Sequence, residues 1–314
     1  MKGQSPVYLL FLSKFMEPKP LEWAEDKDYW REMLHEKPKH VSNRLVKEGM
    51  IEISSLPERI AFRFTIKELQ KKLQLRNIKT SGAKNDLIQR LIEVAPDEMD
   101  KISPTIYQCT AEGRRVVEQY LAEEQEKREV IGEKVFELIS KRDFVKAVEA
   151  LEEYRKQNPS LYPISNLALK REPKRDIALL KVLFEGTPGI LREMEADRLL
   201  FIRMIAALDG IGTPSCSRTH LPKDFETGIK LDGPAACRMF GFYANYVLQI
   251  EEYKQSGIKR VEISCSNDER VCTECRKIAG KKYVLSALPE IPNPKCTCTD
   301  GCRCVILADF GFLK

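Results

Sequence analysis

The stretch TIKELQKKLQLRNIKTSGAKNDLIQRLIEV, residues 65–94, decides how this chain folds at its basic end. Thr65 and Glu68 stand at the spacing of a capping box, in which a threonine hydroxyl accepts from the N–H three residues on and the glutamate reaches back to the threonine N–H. A helix is therefore expected to open there. Ile66, Leu69 and Leu73 recur at the three-and-four spacing of one helical face, which turns Lys67, Lys71 and Lys72 outward. After a turn through residues 77–82, a second helix is expected to open near Ala83 and Lys84, with Leu87, Ile88 and Leu91 as its buried stripe.

Two short amphipathic helices joined by a glycine-containing turn make a very small module, and this one is basic. Between Glu58 and Val94 nine Lys or Arg stand against four Asp or Glu, an excess equal to the formal net charge of +5 carried by all 314 residues. Positive charge concentrated in one place is the electrostatic footprint of a polyanion binder. A solvated helical face is the plainer reading of the same lysines.

The apolar positions Ile66, Leu69 and Leu73, the turn Thr80, Ser81, Gly82, Ala83 and Lys84, and then Leu87, Ile88 and Leu91 resemble the SAP motif. That motif is a helix, extended turn and helix found in proteins that bind double-stranded DNA, and its second helix and preceding turn approach the duplex. The resemblance implies double-stranded DNA as the partner, with Arg76, Lys79, Ser81, Gly82, Lys84 and Arg90 as contact residues. Backbone N–H groups at a helix start favour an anion, and the cations around them neutralise phosphates. Such contacts position a protein without reading much sequence.

Upstream, residues 40–49 read as a helix ended by Gly49, followed by a strand at 50–53. Downstream, residues 107–114 lead into a helix from about Arg115 to Arg128, similar to the strand-to-helix corner of winged-helix domains. Either a winged-helix-like frame carries the SAP-like unit, or ordinary helices support it. From Val130 to Leu161 a helical hairpin is expected around the turn at Lys141, Arg142 and Asp143. It resembles one tetratricopeptide unit, and no second copy follows at a regular period. Residues 158–163 read as a linker, and residues 177–253 as mostly helical, with the aromatic run Phe240, Phe242, Tyr243 and Tyr246 as core.

The far end is dense in cysteine. Cys272 and Cys275 form a Cys-x-x-Cys pair, and Cys296, Cys298, Cys302 and Cys304 follow some twenty residues later. Thiolate pairs of this kind tile the tetrahedral sphere of zinc, whose Zn–S bonds are ~2.3 Å. The apolar run at residues 7–12 is short and lacks a cleavage pattern, so it does not read as a signal peptide, and no stretch has the length of a membrane span. A cytoplasmic setting keeps thiols reduced, so the six cysteines are expected to hold structural zinc. The isolated Cys109, Cys216 and Cys237 read as core residues.

The order strand, Asp268, Arg270, Cys272, Cys275, Gly280 and then Cys302, Arg303, Cys304 resembles the C-terminal module of phage Mu F-like head-morphogenesis proteins. Thr299 stands where that family has a histidine, which leaves the ligand set open between Cys296 and Cys298.

The expected fold class is mainly α and multidomain, a small SAP-like helix-turn-helix unit plus a small α+β cysteine-rich metal-binding module at the C-terminus. The expected divisions are 1–57, helical or winged-helix-like; 58–96, the SAP-like module; 97–160, helical support and hairpin; 161–257, a central helical domain; and 258–314, the zinc module. His35, His40 and His220 all lie outside the cysteine region, so neither a histidine metal centre nor a Cys–His nucleophile is signalled. A non-enzymatic DNA-binding protein is the leading expectation. A bacterial prophage head-assembly protein and a DNA-processing enzyme with an unrecognised centre are the alternatives. A protein partner for the C-terminal module is also expected.

Overall fold

The structure, a computed structural model, describes residues 5–158, 172–214 and 220–310. The described residues divide into two compact units, one within residues 5–125, the other within residues 126–157, 172–214 and 220–310. The linker expected after Asn158 and the isolated Cys216 lie outside the described residues.

The first unit begins with α1 (Pro6–Ser13), α2 (Asp28–Leu34) and α3 (Pro38–Lys47), then β1 (Ile51–Ile53). The apolar run at residues 7–12 is core here: Phe11 and Leu12 are fully buried with Phe15, Trp30, Val41 and Leu45. Phe11 meets Trp30 edge-on at 5.0 Å between ring centroids and stacks on Trp23 at 5.6 Å, geometries that add to the area these rings bury.

Four helices follow before the chain returns: α4 (Leu56–Arg63), α5 (Ile66–Gln74), α6 (Lys84–Val94) and α7 (Pro96–Ile102). Strand β2 (Tyr107–Cys109) then pairs antiparallel with β1, Ile51 opposite Cys109 and Ile53 opposite Tyr107. The four-helix bundle is thus inserted between two neighbouring strands, and Ser54 N–H donates to the Ile106 carbonyl at 2.9 Å where the two ends meet.

The helix expected from Arg115 and the first arm of the hairpin are one continuous element, α8 (Ala111–Ser140). No proline or glycine interrupts residues 114–131, so nothing in that stretch breaks the helix. Its first turn passes very close to β1. A Cβ on Gly113 would lie 2.0 Å from the Met50 carbonyl oxygen, and that oxygen already accepts the Thr110 N–H at 3.0 Å. Gly113→Ala is expected to cost about 2 kcal/mol through forced separation of helix and strand, read as a lowered urea midpoint; an unchanged midpoint would contradict the close approach.

In the second unit the hairpin turn at residues 141–143 leads into α9 (Phe144–Gln157), followed by α10 (Pro173–Glu185), α11 (Ala196–Gly210) and α12 (Gly233–Gln255). Arg203 is buried among them and serves as a cap: its guanidinium donates to the Leu183 carbonyl, to the Gly186 carbonyl at 2.9 Å and to Thr187 Oγ1 at 2.7 Å. It thereby satisfies carbonyls that the end of α10 leaves without helical partners. Of the aromatic run on α12, Phe240 is fully buried, whereas Phe242 is 39% exposed and departs from the expected core.

The chain closes with β3 (Arg260–Ser264), α13 (Thr273–Ile278), β4 (Lys282–Val284) and β5 (Val305–Ala308), the strands forming an antiparallel sheet in the order β4-β3-β5. Val261, Ile263 and Ile306 point inward, while Val305 and Leu307 alternate to the other face, as the period of two requires. Among the described residues no helix is long and apolar enough to cross a membrane.

Candidate nucleic-acid interface and metal centre

The capping box at the start of α5 is formed. The Glu68 carboxylate accepts the Thr65 N–H at 2.7 Å, and Thr65 Oγ1 accepts the Glu68 N–H at 3.4 Å. The Thr65 N–H, together with the Thr65 hydroxyl donating at 2.8 Å, holds the Glu68 carboxyl below its usual range. Leu69, Leu73, Leu87 and Leu91 are fully buried, each contributing about 2 kcal/mol of apolar burial.

Ile66 departs from the expected stripe and is 46% exposed. As the first residue of α5 it sits beyond the layer that Phe64 fills, and Phe64 is the buried residue at that end. Lys67 and Lys71 are exposed as expected, while Lys72 lies over the Phe64 ring at 4.9 Å.

The flanking helices complete the core. Helix α6 packs against α4, α5 and α7, and Ile60 and Met99 are buried beside the leucines. Arg59 ties α4 to the end of α7, donating to Asp100 Oδ1 at 2.7 Å and to the carbonyls of Ser103 and Pro104 at 3.1 and 3.0 Å.

The turn between α5 and α6 is built by a left-handed Asn77, with φ 55°, and by Gly82, with φ 129°. An L side chain is strained at the latter, and a Cβ there would meet the Asp86 carboxylate at 2.9 Å. Arg90 braces the turn from behind, donating to the carbonyls of Lys79 and Ser81 at 3.0 and 2.7 Å. Gln70 holds the Thr80 carbonyl at 3.1 Å. Asp86 accepts the Ala83 N–H at 3.0 Å, a carboxylate at the positive end of α6.

The six expected contact residues thus divide by position. Lys79, Ser81 and Gly82 lie exposed along the turn. Arg76 grips both oxygens of Glu98, Lys84 donates to the Ala61 carbonyl at 2.7 Å, and Arg90 is spent on the turn itself. Residues 62–94 match the SAP domain family model. The SAP domain points to nucleic-acid binding, and it covers about a tenth of the chain. No curated protein and no solved structure matches the chain.

In the second unit, α13 and the loop before β5 bring the cysteines together. The thiols of Cys272, Cys275, Cys296 and Cys298 form one group able to hold a metal ion, and those of Cys275, Cys302 and Cys304 form another. Cys272 and Cys296 stand 3.9 Å apart, as do Cys275 and Cys302. Cys304 departs from the expected set of free thiolates, because it forms a disulfide with Cys265. Cys265 falls one residue past β3 and outside any Cys-x-x-Cys spacing, which is why sequence spacing does not single it out.

Backbone N–H groups aim at the sulfurs. Thr297 donates to Cys272 at 3.3 Å, Cys272 to Cys298 at 3.2 Å, Cys298 to Cys296 at 3.4 Å and Asn293 to Cys302 at 3.2 Å. Burial opposes ionisation of Cys272, yet the N–H groups of Thr297 and Cys275 hold its thiol down at about 6. The neighbouring Cys296, with the N–H groups of Cys304 and Asn293, lowers the Cys302 thiol against the effect of burial. Burial and the neighbouring Cys302 push Cys275 up. By contrast, burial raises the isolated Cys109 and Cys237 to about 11 and about 12, with Asp209 adding to the latter, consistent with core residues.

The loop is anchored from two sides. Arg303 forms a bidentate pair with Asp268 at 2.6 and 2.7 Å, which holds the Asp268 carboxyl at about 2. Met239 of α12 accepts the Cys302 N–H at 3.2 Å, and Gly301 admits that contact, since a Cβ there would lie 2.7 Å from Met239 Cε.

Proposed function

We propose that this chain is a non-enzymatic protein that holds double-stranded DNA through its SAP unit, with a zinc-stapled C-terminal module that completes the fold or docks a protein partner. The observation carrying the reading is the exposed, braced turn at Lys79, Ser81 and Gly82, set at the N-terminus of α6. First-turn N–H groups lack helical partners and favour an anion, which makes a phosphate the natural occupant. Division of the SAP region as 58–96 and a cytoplasmic setting belong to this reading. Zinc is the metal that suits an all-thiolate tetrahedral set.

Lys79 is the clean probe, because Arg76, Lys84 and Arg90 each hold the unit together. Lys79→Glu is expected to weaken duplex binding five- to tenfold, about equally for all sequences, and to flatten the log–log salt slope by about 0.9, the share of a single phosphate. Anisotropy titrations at several salt concentrations read both. Equal affinity with unchanged helical content would remove the DNA assignment.

A second reading, assembly of a phage head, draws on the Asp268–Arg303 pair, which joins the two halves of the cysteine pattern. Capsid and portal genes beside this one would favour it, and their absence would count against it.

A further inference from the structure

The C-terminal module holds more sulfur than one metal ion uses. Seven cysteines lie between Cys265 and Cys304, and a single tetrahedral site takes four. The two sulfur groups share one member, Cys275, which lies fully within the module at 1% exposure. The disulfide places the Cys265 sulfur directly against Cys304 of the second group, and that same sulfur lies 3.6 Å from the Cys275 carbonyl oxygen.

We propose that the reduced module binds two metal ions joined through Cys275. Cys272, Cys275, Cys296 and Cys298 hold the first. Cys275, Cys302, Cys304 and Cys265 hold the second. Two tetrahedral sites sharing one sulfur need seven thiolates, the number present.

The separations agree with this assignment. A tetrahedral ion with ~2.3 Å bonds to sulfur sets its ligands about 3.8 Å apart. The 3.9 Å between Cys272 and Cys296 is such an edge in the first site, and the 3.9 Å between Cys275 and Cys302 is one in the second. Seven thiolates outweigh two divalent ions in charge, and cations already sit on the loop that carries the sulfurs. Lys230 donates to the Thr297 carbonyl at 3.0 Å, and Arg238 to the Asp300 carbonyl at 3.2 Å.

The Cys265–Cys304 disulfide is the oxidised alternative to the second site. A trialkylphosphine opens it: phosphorus attacks one sulfur, the S–S bond breaks, and phosphorus takes the oxygen of water to become the phosphine oxide. The two electrons it gives up leave both sulfurs as thiols, carrying the protons of that water. Each thiol releases its proton when it takes the metal.

This inference rests on the metal-binding reading of the module, and the test separates the two. Full-length protein is reduced with the phosphine, loaded with zinc, freed of excess and analysed for metal per chain; a parallel sample is loaded with cadmium-113 for NMR. Two ions per chain are expected, with two cadmium resonances that split each other through the shared Cys275 sulfur. Cys265→Ser, reduced in the same way, is expected to hold one ion and give one unsplit resonance. One ion in the reduced native protein overturns the paired site and leaves a single site standing, whereas none overturns both. Two unsplit resonances overturn the sharing of Cys275, and two ions in Cys265→Ser overturn the role of Cys265.

Discussion

Cys272→Ser protein is expected to lose the ion held with Cys275, Cys296 and Cys298 and to expose its C-terminal segment to protease. The effect is expected to be large because thiolate ligation couples metal binding to folding: structural zinc contributes about 10–16 kcal/mol in isolated thiolate-rich modules, and the small β4-β3-β5 sheet offers little core to replace it. Val261, Ile263 and Ile306 are its fully buried aliphatic residues. Serine keeps the size of the side chain but not the soft thiolate. Elemental analysis and limited proteolysis under reducing conditions read the outcome. Full metal content with an equally resistant segment would remove Cys272 from the ligand set.

Leu73→Ala is expected to disable the other end. Leu73 is fully buried between α5 and the rest of the bundle, and truncating a leucine in such a place costs about 2–5 kcal/mol through reduced burial and the cavity left behind. A whole domain commonly has only about 5–15 kcal/mol to lose, so a bundle of four short helices would open often or remain open. Duplex affinity should fall with it while metal content stays at the native level. Native affinity together with native hydrogen-exchange protection across residues 56–102 would mean that the leucine contributes little.

The features legible in the sequence were those whose causes lie a few residues apart. Thr65 and Glu68 are three residues apart, and their capping box forms as spacing requires. Leu87, Ile88 and Leu91 define the buried face of α6 by periodicity alone. The strand before Asp268 and the Cys-x-x-Cys pair are equally local. What was not legible depends on partners far away. Helices α4 and α7 are too short to show a period, and they are joined by Arg59 reaching more than forty residues ahead. The pairing of Ile51 with Cys109 likewise spans the inserted bundle.

Charge was the least readable property of the site. Lys79, Lys84 and Arg90 look alike as phosphate ligands in a string of letters, yet Lys84 and Arg90 are occupied by carbonyl groups of their own unit. Cys265 was hidden for a related reason, since its partner Cys304 is 39 residues away and no short motif joins them.

The insertion of the bundle between β1 and β2 has a mechanical consequence. A module on one linker swivels, and binding must first arrest that rotation. Here both ends of residues 55–105 leave from paired strands, with Ser54 bonded to Ile106 at the gateway. The two-point attachment removes the swivel in advance, so the loss of rotational freedom that weakens many tethered DNA binders is met during folding. A pull on a nucleic acid bound to the bundle would load both strands side by side, and the hydrogen bonds between them would share the force.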